Sequence, residues 1–151
     1  SDGSVINPDS GRPWEIGLEV DDEFGNQGRR TVQLPPPPGS EPVKNTTIGI
    51  IATDAALSAP QTQKVAQMAH DGMARAIRPA HTMFDGDTIF CLATGQKELP
   101  EAPGFFIAPR ALSLNELGHA AANCMSRAII NAVFNAHSLA GMTAFRDLND
   151  I

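Results

Sequence analysis

Between residues 47 and 93 the chain reads strand, helix, strand, and that order restricts its topology more than any other feature of the sequence. Thr47-Ile48-Gly49-Ile50-Ile51-Ala52-Thr53 is a β-rich apolar run, too continuous for a strand with one wet face, so burial on both sides is expected. Ser58 suits the cap of the next element and Pro60 its first turn, while Val65, Met68, Ala69, Gly72, Met73 and Ala76 recur at helical spacings of three and four. Arg75 and Arg78 favour the negative end of that helix, and Pro79 stops it. Thr88-Ile89-Phe90-Cys91-Leu92-Ala93 then reads as a second strand, closed by Thr94-Gly95. A strand of about seven residues covers about 23 Å and a helix of roughly 18 residues returns about 27 Å, so the chain comes back to where it began. Strands joined in this way are expected to be parallel neighbours, which sets Thr46 and Asp85-Gly86-Asp87 at the same end of an α/β sheet.

The rest of the chain divides by composition. Residues 1–45 carry eight acids and four bases, the turn signals Asn7-Pro8-Asp9 and Gly25-Asn26, and the run Pro35 to Pro38. Val5, Ile6, Trp14, Ile16, Leu18 and Val20 suggest a short strand or two, but too few apolar residues are present for a separate core. Residues 21–45 read as an exposed loop or linker, extended at its prolines. Towards the other end, Ser113-Leu114-Asn115-Glu116 has the form of a capping box and opens a long helix expected to reach about Ala136. Leu117, Ala121, Met125, Ala128, Ile129, Ala132 and Val133 give that helix an apolar side for packing on the sheet.

The net charge of −6 over 151 residues, with no basic cluster beyond Arg29-Arg30, argues against a nucleic-acid partner, because phosphate neutralisation needs grouped Lys and Arg. No apolar window is long enough to span a membrane, and Ser1-Asp2-Gly3-Ser4 lacks the regions of an export signal. A cytoplasmic location is therefore expected. Cys91 and Cys124 stand alone and read as free, buried thiols in a reducing compartment.

Chemistry concentrates at two places. In an extended Asp85-Gly86-Asp87 the carboxylates point to the same side, with room left between them by Gly86. Two close carboxylates raise the pKa of one member, giving a charged acceptor beside a proton donor. The plain alternative is a turn entering a strand. Metal binding is the competing chemical use, but the calcium-loop pattern is absent and His70, His81, His119 and His137 lack the HExxH spacing, so neither metal nor cofactor is expected. Asn45-Thr46-Thr47 has three readings: a glycosylation sequon, the ordinary start of a β-run, or a self-cleavage site. In the third, the Thr46 hydroxyl attacks the Asn45 carbonyl, the peptide shifts to an ester, and water releases a new N-terminus. Thr46 then supplies nucleophile and base together, since an α-amine titrates at about 7.7–8.0.

Three stretches in this order, Asn45 to Leu57, Ala69-His70-Asp71-Gly72-Met73-Ala74-Arg75-Ala76-Ile77 and His81-Thr82-Met83-Phe84-Asp85-Gly86-Asp87-Thr88-Ile89-Phe90, resemble the self-processing aminopeptidases of the DmpA type. They look closest to the nylon-oligomer branch, the endo-type 6-aminohexanoate-oligomer hydrolases, and Gly3-Ser4-Val5-Ile6-Asn7-Pro8 matches more loosely. The resemblance implies a precursor that cuts itself into an α and a β chain, folded as a four-layer αββα sandwich similar to N-terminal-nucleophile hydrolases. On that basis residues 1–45 are the tail of the α chain and residues 46–151 the β chain. Asn45 then precedes the cut, Thr46 is the nucleophile, and Asp85 and Asp87 are the acidic pair that contacts it. A Lys and an Asn of the α chain, upstream of Ser1, should complete the site.

The expected function is autoprocessing hydrolysis of linear amides such as 6-aminohexanoate oligomers, with a likeness to N-terminal peptide cleavage as the alternative. The implied partners are the substrate, the upstream α chain and further αβ units in a homo-oligomer. A non-catalytic assembly domain of the same fold, and Ser1 as an exposed N-terminal nucleophile, are the rival readings.

Overall fold

The computed structural model describes residues 3–35, 46–101 and 108–151. Expectations that rest on Ser1, on Pro36 to Pro38 and on Asn45 lie outside these residues. In chain order the elements are β1 (Ile6–Asn7), β2 (Arg12–Pro13), a 3₁₀ turn at Ile16–Leu18, α1 (Gly25–Arg29), β3 (Ile48–Ala55), α2 (Ala59–Ala76), β4 (Thr88–Lys97), α3 (Ala111–Asn135) and a 3₁₀ turn at Phe145–Asp147. They fall into two compact units, one of Ser1–Asn45, Met73–Asp85 and Ser126–Ile151, the other of Thr46–Gly72 and Gly86–Met125.

In the second unit β3 and β4 form the expected parallel pair, in register from Ile48↔Thr88 to Thr53↔Ala93, with an irregularity between Thr53 and Ala55. At the start of α2 the Gln61 side chain reaches back to accept the Ser58 N–H at 2.8 Å, and the Ser58 carbonyl accepts the Thr62 N–H at 2.9 Å. α3 begins earlier than the capping box implied. Its first helical residue is Ala111, and the Ser113 hydroxyl donates to the Pro100 carbonyl instead of capping.

Among the described residues, burial of β3 on both faces does not occur. Ile51, Ala55 and Ile89 are buried, but Ile48 and Ile50 are 69% and 67% exposed, and Phe90 and Leu92 on β4 are 57% and 59% exposed. Strand alternation separates these two sets, and helix packing reaches only the first. Met125 of α3 lies so close over Gly49 that a Cβ there would sit 2.6 Å from its methyl carbon. The sequence pattern reports apolarity on both faces correctly, but it carries no information on whether both coverings lie among these residues.

The two helices meet through small residues. A Cβ on Gly72 would fall 1.9 Å from the Ala122 carbonyl oxygen, and one on Gly118 would meet the Met68 sulfur at 2.3 Å. Close-packed interiors do not absorb such overlap without moving backbone. Gly72→Ala is therefore expected to lower unfolding stability by about 3 kcal/mol in urea denaturation. Gly17→Ala, whose added carbon meets nothing within 4 Å, should stay within about 0.5 kcal/mol of the parent. Equal midpoints for the two variants would contradict this account of the helix contact.

In the first unit β1 and β2 pair antiparallel, Ile6 opposite Pro13, around a turn in which the Asn7 side chain accepts the Asp9 N–H at 2.8 Å. Residues 21–35 do not form the exposed loop expected of them. Phe24 and Val32 are buried and join Ile6, Ile130, Phe134 and Phe145 in one core cluster. Phe134 meets Phe24 edge-on at 5.6 Å between centroids, and its ring lies 4.8 Å from Phe145. The early stretch, too poor in apolar residues for its own core, thus shares one with residues from the other end of the chain. Arg30 pins the last segment to it, donating to the Arg146 carbonyl at 2.9 Å and to Asp150 at 2.6 Å.

Candidate active site

Thr46 and Thr47 lead directly into β3, and the main chain at Thr47 is held from both of its polar groups. Its carbonyl accepts the Thr88 N–H at 2.9 Å, and its own N–H donates to Asp87 Oδ1 at 2.9 Å. The parallel register brings this about, because Ile48 opposite Thr88 leaves Thr47 beside Asp87. Thr46 itself is exposed, while Asp87 is half-buried. Gly86 approaches Thr46 closely: a Cβ there would stand 2.9 Å from Thr46 Oγ1. The structure thus brings Thr46, Gly86 and Asp87 together in one unit.

Asp85 belongs to the other unit and is engaged by its own turn. Its Oδ2 accepts the Thr82 N–H at 2.7 Å, and its N–H donates to the Thr82 carbonyl at 3.1 Å. Phe84 N–H reaches the Thr82 hydroxyl at 3.4 Å. Both acids of the Asp-Gly-Asp segment therefore accept a main-chain N–H, each a different one. The sequence reading did not anticipate the partners Thr47 and Thr82. Thr82 was legible, since a Thr three residues before an Asp is a common closed-turn pattern.

Asp54, at the far end of β3, pairs with Lys97 at 2.7 Å, and that contact holds its carboxyl below the usual range and raises the lysine. His119 meets Asn123 at 3.2 Å on the exposed side of α3. Among the described residues no group of three or more His, Cys, Asp or Glu side chains is placed to share a metal ion. Cys91 is half-buried, and burial pushes its thiol up, whereas Cys124 is exposed, contrary to the expectation of two buried thiols. No helix among the described residues is long and apolar enough to cross a membrane.

The Thr46 hydroxyl thus stands just before β3, and the amide of the next residue is held by a carboxylate that just precedes β4. The chain belongs to peptidase family S58, whose family model matches residues 6–146. It is 42% identical over 155 residues to an uncharacterized aminopeptidase of Mycobacterium bovis, covering 97% of this chain and 44% of the relative. A second uncharacterized aminopeptidase, of Mycobacterium leprae, is 41% identical over 151 residues, covering 95% of this chain and 40% of its own length. A 6-aminohexanoate-oligomer endohydrolase of Kocuria sp. strain KY2 is 32% identical over 118 residues, covering 78% of this chain and 32% of the relative. The chain thus spans less than half the length of these relatives.

Proposed function

We propose that this chain carries the nucleophile of a self-processing amide hydrolase, with Thr46 as the attacking residue. The observation that supports this most is the placing of the Thr46 hydroxyl against Gly86, next to a Thr47 amide tied to Asp87. In the first event Thr46 Oγ1 attacks the Asn45 carbonyl carbon, the C–N bond to Thr46 breaks, and the acyl group passes to oxygen. Water then hydrolyses the ester, leaving a carboxylate on Asn45 and a free amine on Thr46. In turnover the same hydroxyl attacks a substrate amide. Its proton goes to the Thr46 amine and on to the departing substrate amine, and water releases the acyl group from the threonine ester. Asp87 keeps the nucleophile's backbone in place by accepting the Thr47 N–H.

The substrates of this reading are linear amides with an amine nearby. The Kocuria likeness supports 6-aminohexanoate oligomers, and the higher identity to proteins named aminopeptidases supports N-terminal peptide bonds as the second reading. The same reading gives the exposed face of Ile48, Ile50, Phe90 and Leu92 to a second sheet, as a four-layer sandwich requires. The upstream part of the precursor supplies that sheet together with the remaining catalytic groups. The decisive experiment is intact mass of the full-length protein after incubation, followed by assay against aminoacyl anilides and 6-aminohexanoate oligomers. Two fragments meeting at Asn45-Thr46 and turnover of either substrate are expected, whereas an uncut, inert chain would falsify the proposal.

A pH profile follows from the chemistry. Only the neutral amine accepts the hydroxyl proton, so kcat should fall about tenfold per unit as pH drops below about 7.7 and level off above about 8. A flat profile across that range would place the base elsewhere.

A further inference from the structure

Gly86 has no conformational need to be glycine, since its backbone lies outside the left-handed region that excludes side chains. Its neighbours explain it instead. The three heavy atoms nearest to an added Cβ are all in Thr46: Oγ1 at 2.9 Å, Cγ2 at 3.6 Å and Cβ at 3.8 Å. The first distance is shorter than carbon and oxygen tolerate without a bond between them, and the other two are ordinary contacts. The hydroxyl is therefore the one group of Thr46 that an alanine here would displace.

Threonine is stiff at χ1, so the overlap is relieved either by turning the hydroxyl off its staggered well, at a cost, or by a jump to another well. One jump carries Cγ2 into the place Oγ1 leaves and makes the overlap worse. The other turns the Cβ hydrogen towards residue 86, and the oxygen moves by roughly 2 Å. The main chain cannot relieve the contact cheaply, because Thr47 is fixed at its N–H by Asp87 and at its carbonyl by Thr88.

We propose that Gly86 is a positioning residue for the Thr46 hydroxyl: the space left by its missing side chain admits the one staggered orientation from which the oxygen attacks. This rests on the reading of Thr46 as nucleophile. A misplacement of about 1 Å can cost about 100-fold in rate, and the loss belongs to the chemical step and not to substrate capture.

The test uses the full-length protein. Gly86→Ala is expected to lower kcat and the self-cleavage rate by about 100-fold with KM changed less than about twofold, while Gly17→Ala behaves as the parent. The contact is read separately in uncut backgrounds. Thr46→Val keeps an atom where Oγ1 stood, so adding Gly86→Ala should lower its urea midpoint; Thr46→Ala removes that atom, and the same addition should leave its midpoint unchanged. This comparison decides the matter even where Gly86→Ala alone is too unstable to assay. Full activity of Gly86→Ala beside an active parent, or equal destabilisation in both backgrounds, overturns the proposal alone. A parent that neither cuts itself nor hydrolyses amides overturns the nucleophile reading, and the proposal falls with it.

Discussion

Thr46→Ala is expected to leave the full-length chain uncut and to lower amide hydrolysis by roughly 10³-fold or more, the scale on which loss of a covalent nucleophile is felt. Thr46→Ser should retain both reactions at reduced rate, because the hydroxyl remains while the methyl that restricts its rotation is gone. Folding should be little affected in either variant, since Thr46 is exposed and its neighbours in β3 are held by main-chain bonds. Intact mass gives the cut and steady-state kinetics the turnover. Unchanged cleavage in Thr46→Ala would move the nucleophile to another residue.

The second large effect concerns Asp87, where two roles can be separated. Asp87→Asn keeps an oxygen able to accept the Thr47 N–H, which the aspartate accepts at 2.9 Å, but removes the charge. Asp87→Ala removes both and leaves a main-chain donor without this partner, a loss of about 1–2 kcal/mol. The expected outcome is a graded one. The asparagine variant stays within about 0.5 kcal/mol of the parent and loses about 10-fold to 100-fold in kcat, as removal of one preorganised electrostatic group does. The alanine variant loses at least as much rate, and stability as well. Equal turnover in parent and both variants would reduce Asp87 to a strand anchor.

How much of this was legible in the sequence differs by element. The parallel pair and its crossover helix followed from apolar periodicity and from the match between strand and helix lengths, and the structure extends both strands by only a few residues. The convergence of Thr46 with the segment after Asp85 followed from the same arithmetic. Two features were not legible because they depend on partners distant in sequence. Phe24 and Val32 look like isolated apolar residues in a polar stretch until Phe134 and Phe145 are brought against them. Ser113 looks like a helix cap because its spacing to Glu116 is right, yet the Pro100 carbonyl takes its hydroxyl and the helix starts three residues sooner. Local pattern specifies which chemistry is available to a residue, and tertiary neighbours select among the options.

The uncovered face of β3 and β4 carries a consequence for handling the molecule. Among the described residues, Ile48, Ile50, Phe90 and Leu92 together form an exposed apolar stripe on a two-stranded sheet. Such a surface on strands of eight and ten residues, to which no further strand is paired among the described residues, is a template for self-association. Produced alone, residues 1–151, which keep the core that Phe24 and Val32 share with Phe134 and Phe145, should associate at concentrations that the full-length protein tolerates, and replacing Ile50 with Thr should raise their solubility.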